Sequence, residues 1–462
     1  MSLKVMQRIF SFILVAGMLL GFVAPAGAQT SEGAAKTAPL LSIGKVEGQV
    51  LDEISSNGQT EFLVWMATKA DLSKAADLHT KTEKGQYVFD TLRATAEQTQ
   101  KSLRGYLDTQ GVTYRPFYIV NAIWVQGGNL DLVTSLSARA DVSSITANHK
   151  FQLEKPFIDP EAGPMAPNTV ATNVAFINAD DAWAMGVTGE GTVVAGNDTG
   201  LQWDHPAIIN HYRGWDGSVA DHNYNWWDAW AWSPTVPADD YGHGTHTTGT
   251  MVGDDGAGNQ IGVAPGAQTI HCKNMSGGGG DDAHFIICFE WDLAPWDLDG
   301  LNPLPEMAPD AINNSWGYGG GGVDAFREAV DNLQAAGIAV EVSAGNEGSS
   351  CQTLRSPGDY QEVITTGSIQ HSGGVLPGTI TGFSSRGPSS LDGNYFPDVM
   401  APGENICSSV PGGGIDCGWS GTSMAGPHVT ALVGLIWAAC PAMQGDVETT
   451  YGIITQTAVP LT

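Results

Sequence analysis

Positive charge is scarce in this sequence. Lys and Arg number 20 against 49 Asp and Glu, a formal net charge of −29 over 462 residues. Phosphates call for cationic partners, so this balance excludes nucleic acid, and it excludes docking on anionic lipid as well. Cysteine is sparse, with six residues and no Cys-x-x-Cys pair, which removes the common spacing of a zinc cluster. No internal repeat occurs, which argues against a solenoid or propeller. Long apolar runs are absent except at the N-terminus, so no second segment is expected to span a membrane. Glycine, in contrast, is abundant at 59 residues. It implies many turns and closely approached backbone. A chain of this length, 42% hydrophobic, can fill the cores of two or three domains.

The one apolar run, IFSFILVAGMLLGFVA, follows Lys4 and Arg8 and precedes the small-residue site Ala26-Gly27-Ala28. That is the pattern of a signal peptide over 1–28, and the expected location is secreted, with no membrane attachment once the signal is removed. Secretion makes the cysteines readable as disulfides. Cys407 and Cys417 enclose the short loop SSVPGGGID and are expected to pair. Cys272 and Cys288 are a second candidate pair, and the sequence leaves Cys351 and Cys440 open. The Ala/Gly/Ser/Thr-rich residues 29–58 read as a linker. A strand at 61–66, a helix at 86–107, the alternating VTYRPFYIVNAIWVQGG, the helical NLDLVTSLSAR and the strand VSSITAN then give a small α+β domain over 59–155. The Pro-rich KPFIDPEAGPMAPN follows as a candidate linker and cleavage site. Beyond it, short apolar runs bounded by Gly or Asn (TVVAG, AINNSW, IAVEVSAG, VITTGSI) alternate with helical stretches at 323–336 and 423–439. That alternation predicts an α/β domain with a mainly parallel sheet over 156–462.

Three segments of this second domain put a reactive side chain at a strand end or a helix start: Asp198 in GTVVAGNDTG, His243 in DDYGHGTHTTGTMVG and Ser423 in SGTSMAGPHVTALVGLIWAAC. Singly, each has an ordinary reading as a turn residue, half of a His243–His246 metal pair without the zincin glutamate, or a helix cap. Together they suit one chemistry. A serine hydroxyl becomes a nucleophile when an imidazole takes its proton, and the imidazole needs a carboxylate to fix its tautomer. The helix start behind Ser423 turns its positive end to a developing oxyanion. Asn346, in IAVEVSAGNEG, supplies a second donor for that oxygen.

These segments resemble the motifs of the subtilisin-like serine proteases, the subtilases. NDTG resembles the aspartate motif, HGTHTTG the histidine motif, GTSMAGPH the serine motif and SAGNEG the oxyanion motif; FSSRGP and PDVMAPG also match. GNDTGLQWDHPA, YNWWDA and GDDGAGNQIGVAP resemble the bacillopeptidase F-like branch. The resemblance covers roughly 173–458 of the chain. It implies a subtilisin-like mainly parallel sheet with helices on both faces, preceded by a ferredoxin-like inhibitor propeptide over 59–155. It implies a serine endopeptidase made as a zymogen, with Ser423 as nucleophile, His243 as general base, Asp198 orienting it and Asn346 as oxyanion donor. Gly277, Gly278, Gly279 and Gly280 resemble the edge that pairs with substrate backbone, and Ser315, Trp316 and Gly317 the opposite edge. The implied partners are protein or peptide substrates and the chain's own propeptide; a monomer is expected. The chemistry needs no cofactor.

The sequence departs from the family pattern in places. Asn197 stands where an apolar residue is usual, and Glu341 interrupts an apolar strand, where a structural pairing is expected. Ala207 replaces an aspartate that ligates calcium in many relatives. The acidic WDLAPWDLDG is the remaining candidate for a structural calcium ion, its alternative being a solvated insertion. Arg355 falls near the base of the family's primary specificity pocket, where it would favour an acidic residue. Asp239 and Asp240 would favour a basic residue at the next substrate position. Trp215, Trp226, Trp227, Trp230 and Trp232 read as packing or as an aromatic cleft. Relatives continue beyond ITQTAVPLT, so a truncated C-terminus is expected. The competing functions are a catalytically silent binding protein on the same fold and an esterase or transpeptidase using the same site.

Overall fold

Alternating side chains build the first sheet. In the strand Thr60–Met66, Phe62, Val64 and Met66 are buried on one face, where they meet Ile123 and Val125 of Ala122–Gly128 and Ile145 of Val142–Ala147. The computed structural model describes residues 41–231, 235–371 and 378–461. The expected signal peptide, the first part of the expected linker and Trp232 lie outside them. The sheet is antiparallel, in the order Thr113–Phe117, Ala122–Gly128, Thr60–Met66, Val142–Ala147. With the helices Lys81–Gln110 and Leu130–Ser137 this is the β-α-β-β-α-β ferredoxin-like arrangement. The stretch read as one alternating segment is a hairpin of two strands. The long helix starts at a capping box, Thr80 with Glu83, and stops at Gly111 in the left-handed region.

The linker expectation over 29–58 needs correction. Gly48–Asn57 is a helix, and Val46, Val50 and Ile54 are buried in the core of the small domain. Val50 and Ile54 lie four residues apart on one face of the helix, and Val46, just before it, bridges to Ile145. The polar and small residues between them disguise it.

The second sheet is parallel at its centre. Its order is Thr379–Ile380, Ile364–Gln370, Ala339–Ser343, Ala311–Asn314, Val193–Asp198, Gln268–Lys273, Trp226–Asp228, and Val399–Pro402 also joins Ile364–Gln370 in parallel. Thr379–Ile380 pairs antiparallel. The helices His243–Val252 and Thr422–Ala439 cover one face; Asp282–Leu293 and Arg327–Ala335 cover the other. Thr422–Ala439 and Asp282–Leu293 are apolar nearly all round and buried, as a helix in a layered core must be. Cys272–Cys288 ties a strand to the helix behind it, and Cys407–Cys417 closes the hairpin Ile406–Val410/Gly414–Ser420. Cys351 and Cys440 are unpaired and exposed.

The two domains share buried polar contacts. Glu290, on the Asp282–Leu293 helix, accepts the Tyr118 N–H at 2.6 Å and the Ile119 N–H at 3.2 Å from the small domain. Burial pushes its carboxyl up to about 7. His149 bonds Asp282 through Nδ1 at 2.6 Å and Glu47 through Nε2 at 2.9 Å. The hydrogen bond to Asp282, reinforced by Glu47, pulls its pKa up to about 9. A raised histidine pKa adds stability below the unfolded value near 6.5, and that contribution is lost as pH rises through about 9. Buried acids such as Glu290 also titrate in this window, so a matched variant is needed. The thermal midpoint of the uncut chain should fall between pH 6.5 and 9, and His149→Asn should flatten that fall. Parallel curves for the two proteins would remove His149 as a cause.

Candidate active site

Asp198 ends the strand Val193–Asp198 with its carboxylate fully buried. It is bonded from three sides. Thr199 N–H donates to Oδ1 at 2.7 Å, Thr247 Oγ1 to Oδ2 at 3.2 Å, and His243 Nδ1 lies 2.8 Å from both oxygens. His243 opens the helix His243–Val252. Its Nδ1 is committed to the carboxylate, which leaves Nε2 free to face away from it.

Ser423 is the second residue of the helix Thr422–Ala439. Its Oγ donates to the Ser315 carbonyl at 3.2 Å; among the described residues it makes no hydrogen bond to His243. Asn346 follows the strand Ala339–Ser343, and its Oδ1 accepts from Thr422 N–H at 2.8 Å and Thr422 Oγ1 at 3.0 Å. Those two donors fix the amide's orientation and turn Nδ2 the other way. A Cβ placed on Gly421 would lie 3.6 Å from Asn346 Nδ2 and 3.7 Å from Ser423 N. Asn346 Nδ2, Ser423 N and Met424 Sδ thus gather around one point at the start of the serine helix.

Pro427 sits in the second turn of this helix. It cannot donate to the Ser423 carbonyl four residues back. That carbonyl accepts Ser315 Oγ instead, at 2.9 Å. The substitution of one partner for another keeps the start of the helix regular despite the proline.

The glycine edge is occupied by the chain itself. Lys150–Gln152 pairs antiparallel with Gly279–Asp281, and Leu153 N–H donates to Gly278 O at 2.7 Å. Gly277 N–H is taken by Asp240. On the opposite edge, Ser315 bonds Ser423, Trp316 stacks on Phe285 at 3.9 Å, and Gly317 O accepts from Arg355.

Several expectations need correction. Asp239 bonds Thr199, the Tyr241 and Gly242 N–H groups and Thr245, so its carboxylate is spent at the start of the histidine helix. Asp240 pairs with Lys273 at 2.7 Å. Neither is left as a free charge for a basic substrate residue. Glu341 has no structural pairing: it is buried against Gly426, and its two oxygens have no hydrogen-bond partner within range among the described residues. Burial holds its carboxyl well above the usual range. Asn197 has a partner the sequence hides. It donates to Asp292 at 2.7 Å on the helix behind the sheet, where burial raises that carboxyl to about 8.

His246 stacks on Trp419 at 4.4 Å, and burial holds it down to about 3. That stack is a packing contact, while Nδ1 of His243 is committed to Asp198. His271 was missed. Burial keeps it near 4, beside Asp198 and under Trp226, where its neutral ring adds no second charge. Its only sequence signal was a polar residue inside a strand. Trp226 and Trp227 are core residues, and Trp230 stacks on His284 at 3.7 Å. In WDLAPWDLDG, Asp292 faces Asn197, and Asp297 accepts the Asp299 and Leu301 N–H groups of its own loop.

A mainly parallel sheet thus carries an aspartate-bound imidazole, a serine at a helix start and a carboxamide beyond the carboxyl ends of its strands, the set expected of an α/β serine peptidase. Comparison with known sequences gives the particular group. Residues 189–461 match the subtilase family of S8 peptidases, and the chain belongs to that family. It is 40% identical over 412 residues to bacillopeptidase F of Bacillus subtilis, an alignment that covers 85% of this chain and 28% of that protein. It is 32% identical over 278 residues to the major intracellular serine protease of the same species, covering 59% of this chain and 76% of the relative. With subtilisin E it shares 33% over 277 residues, 59% of this chain and 62% of the relative. The chain thus spans little more than a quarter of the length of bacillopeptidase F.

Proposed function

We propose that this protein is a secreted serine endopeptidase made as a zymogen. The observation that supports the reading is the hydrogen-bonded Asp198–His243 pair at the end of one central strand together with Ser423 and Asn346, joined through Ser315 and Thr422, at the ends of its neighbours. Ser423 Oγ attacks a peptide carbonyl and passes its proton to His243 Nε2. Asp198 holds the imidazole tautomer and steadies its charged form. The carbonyl oxygen, now negative, takes hydrogen bonds from Ser423 N–H and Asn346 Nδ2. His243 then protonates the leaving amine, and water releases the acyl group. The substrate backbone adds as a strand between Gly277–Gly280 and Ser315–Gly317. Residues 59–155 act as the intramolecular inhibitor, a role supported by Lys150–Gln152 lying on that edge. Secretion rests on the charge and apolar pattern of residues 1–28. Family membership and the relatives' names as proteases support the endopeptidase assignment.

The test is labelling of the processed protein by a fluorophosphonate, with the adduct mapped by mass spectrometry. An adduct on Ser423 together with cleavage of a peptide series is expected. A folded, processed protein that takes no label would favour a silent binding protein. Asn346→Leu should lower kcat by about 10²–10³-fold with little change in KM, the size such a loss has in subtilisin. A drop confined to KM would show that the amide holds ground-state substrate instead.

A further inference from the structure

The chain runs unbroken through the candidate site. Before it, Lys150–Gln152 lies on Gly279–Asp281 and Leu153 on Gly278. After it, Phe157 pairs with Ser420 and Ile158 with Trp419, just ahead of Ser423. Residues 154–156 connect these two pairings. Side chains along an extended segment alternate. Phe151 and Leu153 are buried on one side, with Phe151 between Phe285 at 5.8 Å and Tyr318 at 5.6 Å. Glu154 projects to the other side and meets Arg355, Oε1 to Nη2 at 2.8 Å.

Arg355 is held for this contact. It is 9% exposed. Its Nη1 donates to Gly317 O at 3.3 Å, and Nη2 also pairs with Glu347. Glu347 is fixed in turn by Asn346 N–H at 3.0 Å and Ser385 Oγ at 3.2 Å. Two glycines make room for the arginine stem. A Cβ on Gly317 would lie 2.9 Å from Arg355 Cβ, and one on Gly345 2.9 Å from Arg355 Cγ. Both glycines belong to the segments that frame Ser423. Glu347 offsets one charge, yet a guanidinium has five donors, and Arg355 Nε is buried without a partner among the described residues. The fork therefore has capacity for a second carboxylate.

We propose that Arg355 is the specificity-determining residue of this site. It selects an acidic side chain immediately before the cut, and the first bond cut is the chain's own Glu154–Lys155. This rests on the endopeptidase reading above. In that step the Ser423 oxygen bonds to the Glu154 carbonyl carbon and its proton goes to His243. The C–N bond to Lys155 breaks, and His243 returns the proton to the new amino terminus. Water then splits the ester, leaving a Glu154 carboxylate and free Ser423.

The full-length protein supplies the test. The first new amino terminus, read by mass spectrometry early in processing, should be Lys155. Processed enzyme should cut peptides with Glu before the bond about 5-fold better in kcat/KM than matched Gln peptides, the upper range for an ion pair whose acid is half exposed. Arg355→Gln should bring that ratio close to one, a change a merely structural role would not produce. Glu154→Gln, at an exposed position, should slow the first cut and decides the matter if Arg355→Gln does not fold. Ser423 labelling with equal cleavage of Glu and Gln peptides would overturn this specificity and leave the endopeptidase reading standing. A first cut elsewhere would overturn the Glu154–Lys155 assignment. Processed, folded protein with neither label nor cleavage would end both readings.

Discussion

Ser423→Ala lowers kcat/KM on any peptide substrate by about 10⁶-fold, the size this loss has in subtilisin, and the full-length chain accumulates uncut. The argument is local. Alanine removes the Ser423 Oγ and leaves both the Ser423 N–H and the Asn346 amide, which Thr422 holds, in place. The Ser423 carbonyl keeps its bond from Ser315 Oγ, and the helix keeps its first turn. Thermal stability should therefore change little, since the hydroxyl contributes one hydrogen bond of 3.2 Å to Ser315 O. Activity is read on processed enzyme, cut in trans where needed, against a sensitive fluorogenic peptide. Processing is read by gel over days. Self-processing at the wild-type rate in the alanine variant would remove Ser423 as the nucleophile. A large fall in stability would instead point to a structural serine.

Much of this arrangement was readable before any coordinates because it depends on short-range rules. Strands ending in Gly or Asn, a histidine helix and a serine helix with small residues predicted the parallel sheet and the candidate residues at its end. The disulfide Cys407–Cys417 was legible because the chain between the two cysteines is short and Gly-rich. What stayed hidden depends on partners remote in sequence. Asn197 looked anomalous until Asp292, 95 residues away, came to lie beneath it. Glu341 suggested a pairing, since a strand pattern does not reveal whether a buried acid finds a cation or keeps its proton. Asp239 and Asp240 looked like free charges because a helix start and Lys273 are not visible as their partners from sequence order. The helix at Gly48–Asn57 was lost for another reason. Composition is an average, and Val50 and Ile54, four residues apart, carry little weight in it.

Asp198→Asn has the next largest effect, a fall of about 10⁴-fold in kcat with near-native folding. The carboxylate accepts three hydrogen bonds, from Thr199 N–H, Thr247 Oγ1 and His243 Nδ1. An asparagine oxygen in the place of Oδ1 keeps the Thr199 N–H, and its NH₂ then takes the place of Oδ2, where it faces Thr247 Oγ1 and the imidazole. An amide N–H opposite Nδ1 requires Nδ1 to be the acceptor, which puts the ring's proton on Nε2. That is the nitrogen that must take the proton from Ser423. The variant thus holds the right atoms in the wrong tautomer, and it also lacks the charge that steadies the imidazolium. The neighbour His271 cannot substitute for that charge, because an imidazole is neutral or cationic and never an anion. Fluorophosphonate labelling should slow along with peptide cleavage, while the far-ultraviolet spectrum and thermal midpoint stay close to the parent. Two results would count against this account: a fall of less than about tenfold, or a loss of activity matched by a loss of folded protein. The first would mean that the 2.8 Å contact to His243 is a packing accident. The second would mean that Asp198 matters to the end of its strand and not to the proton that leaves the serine.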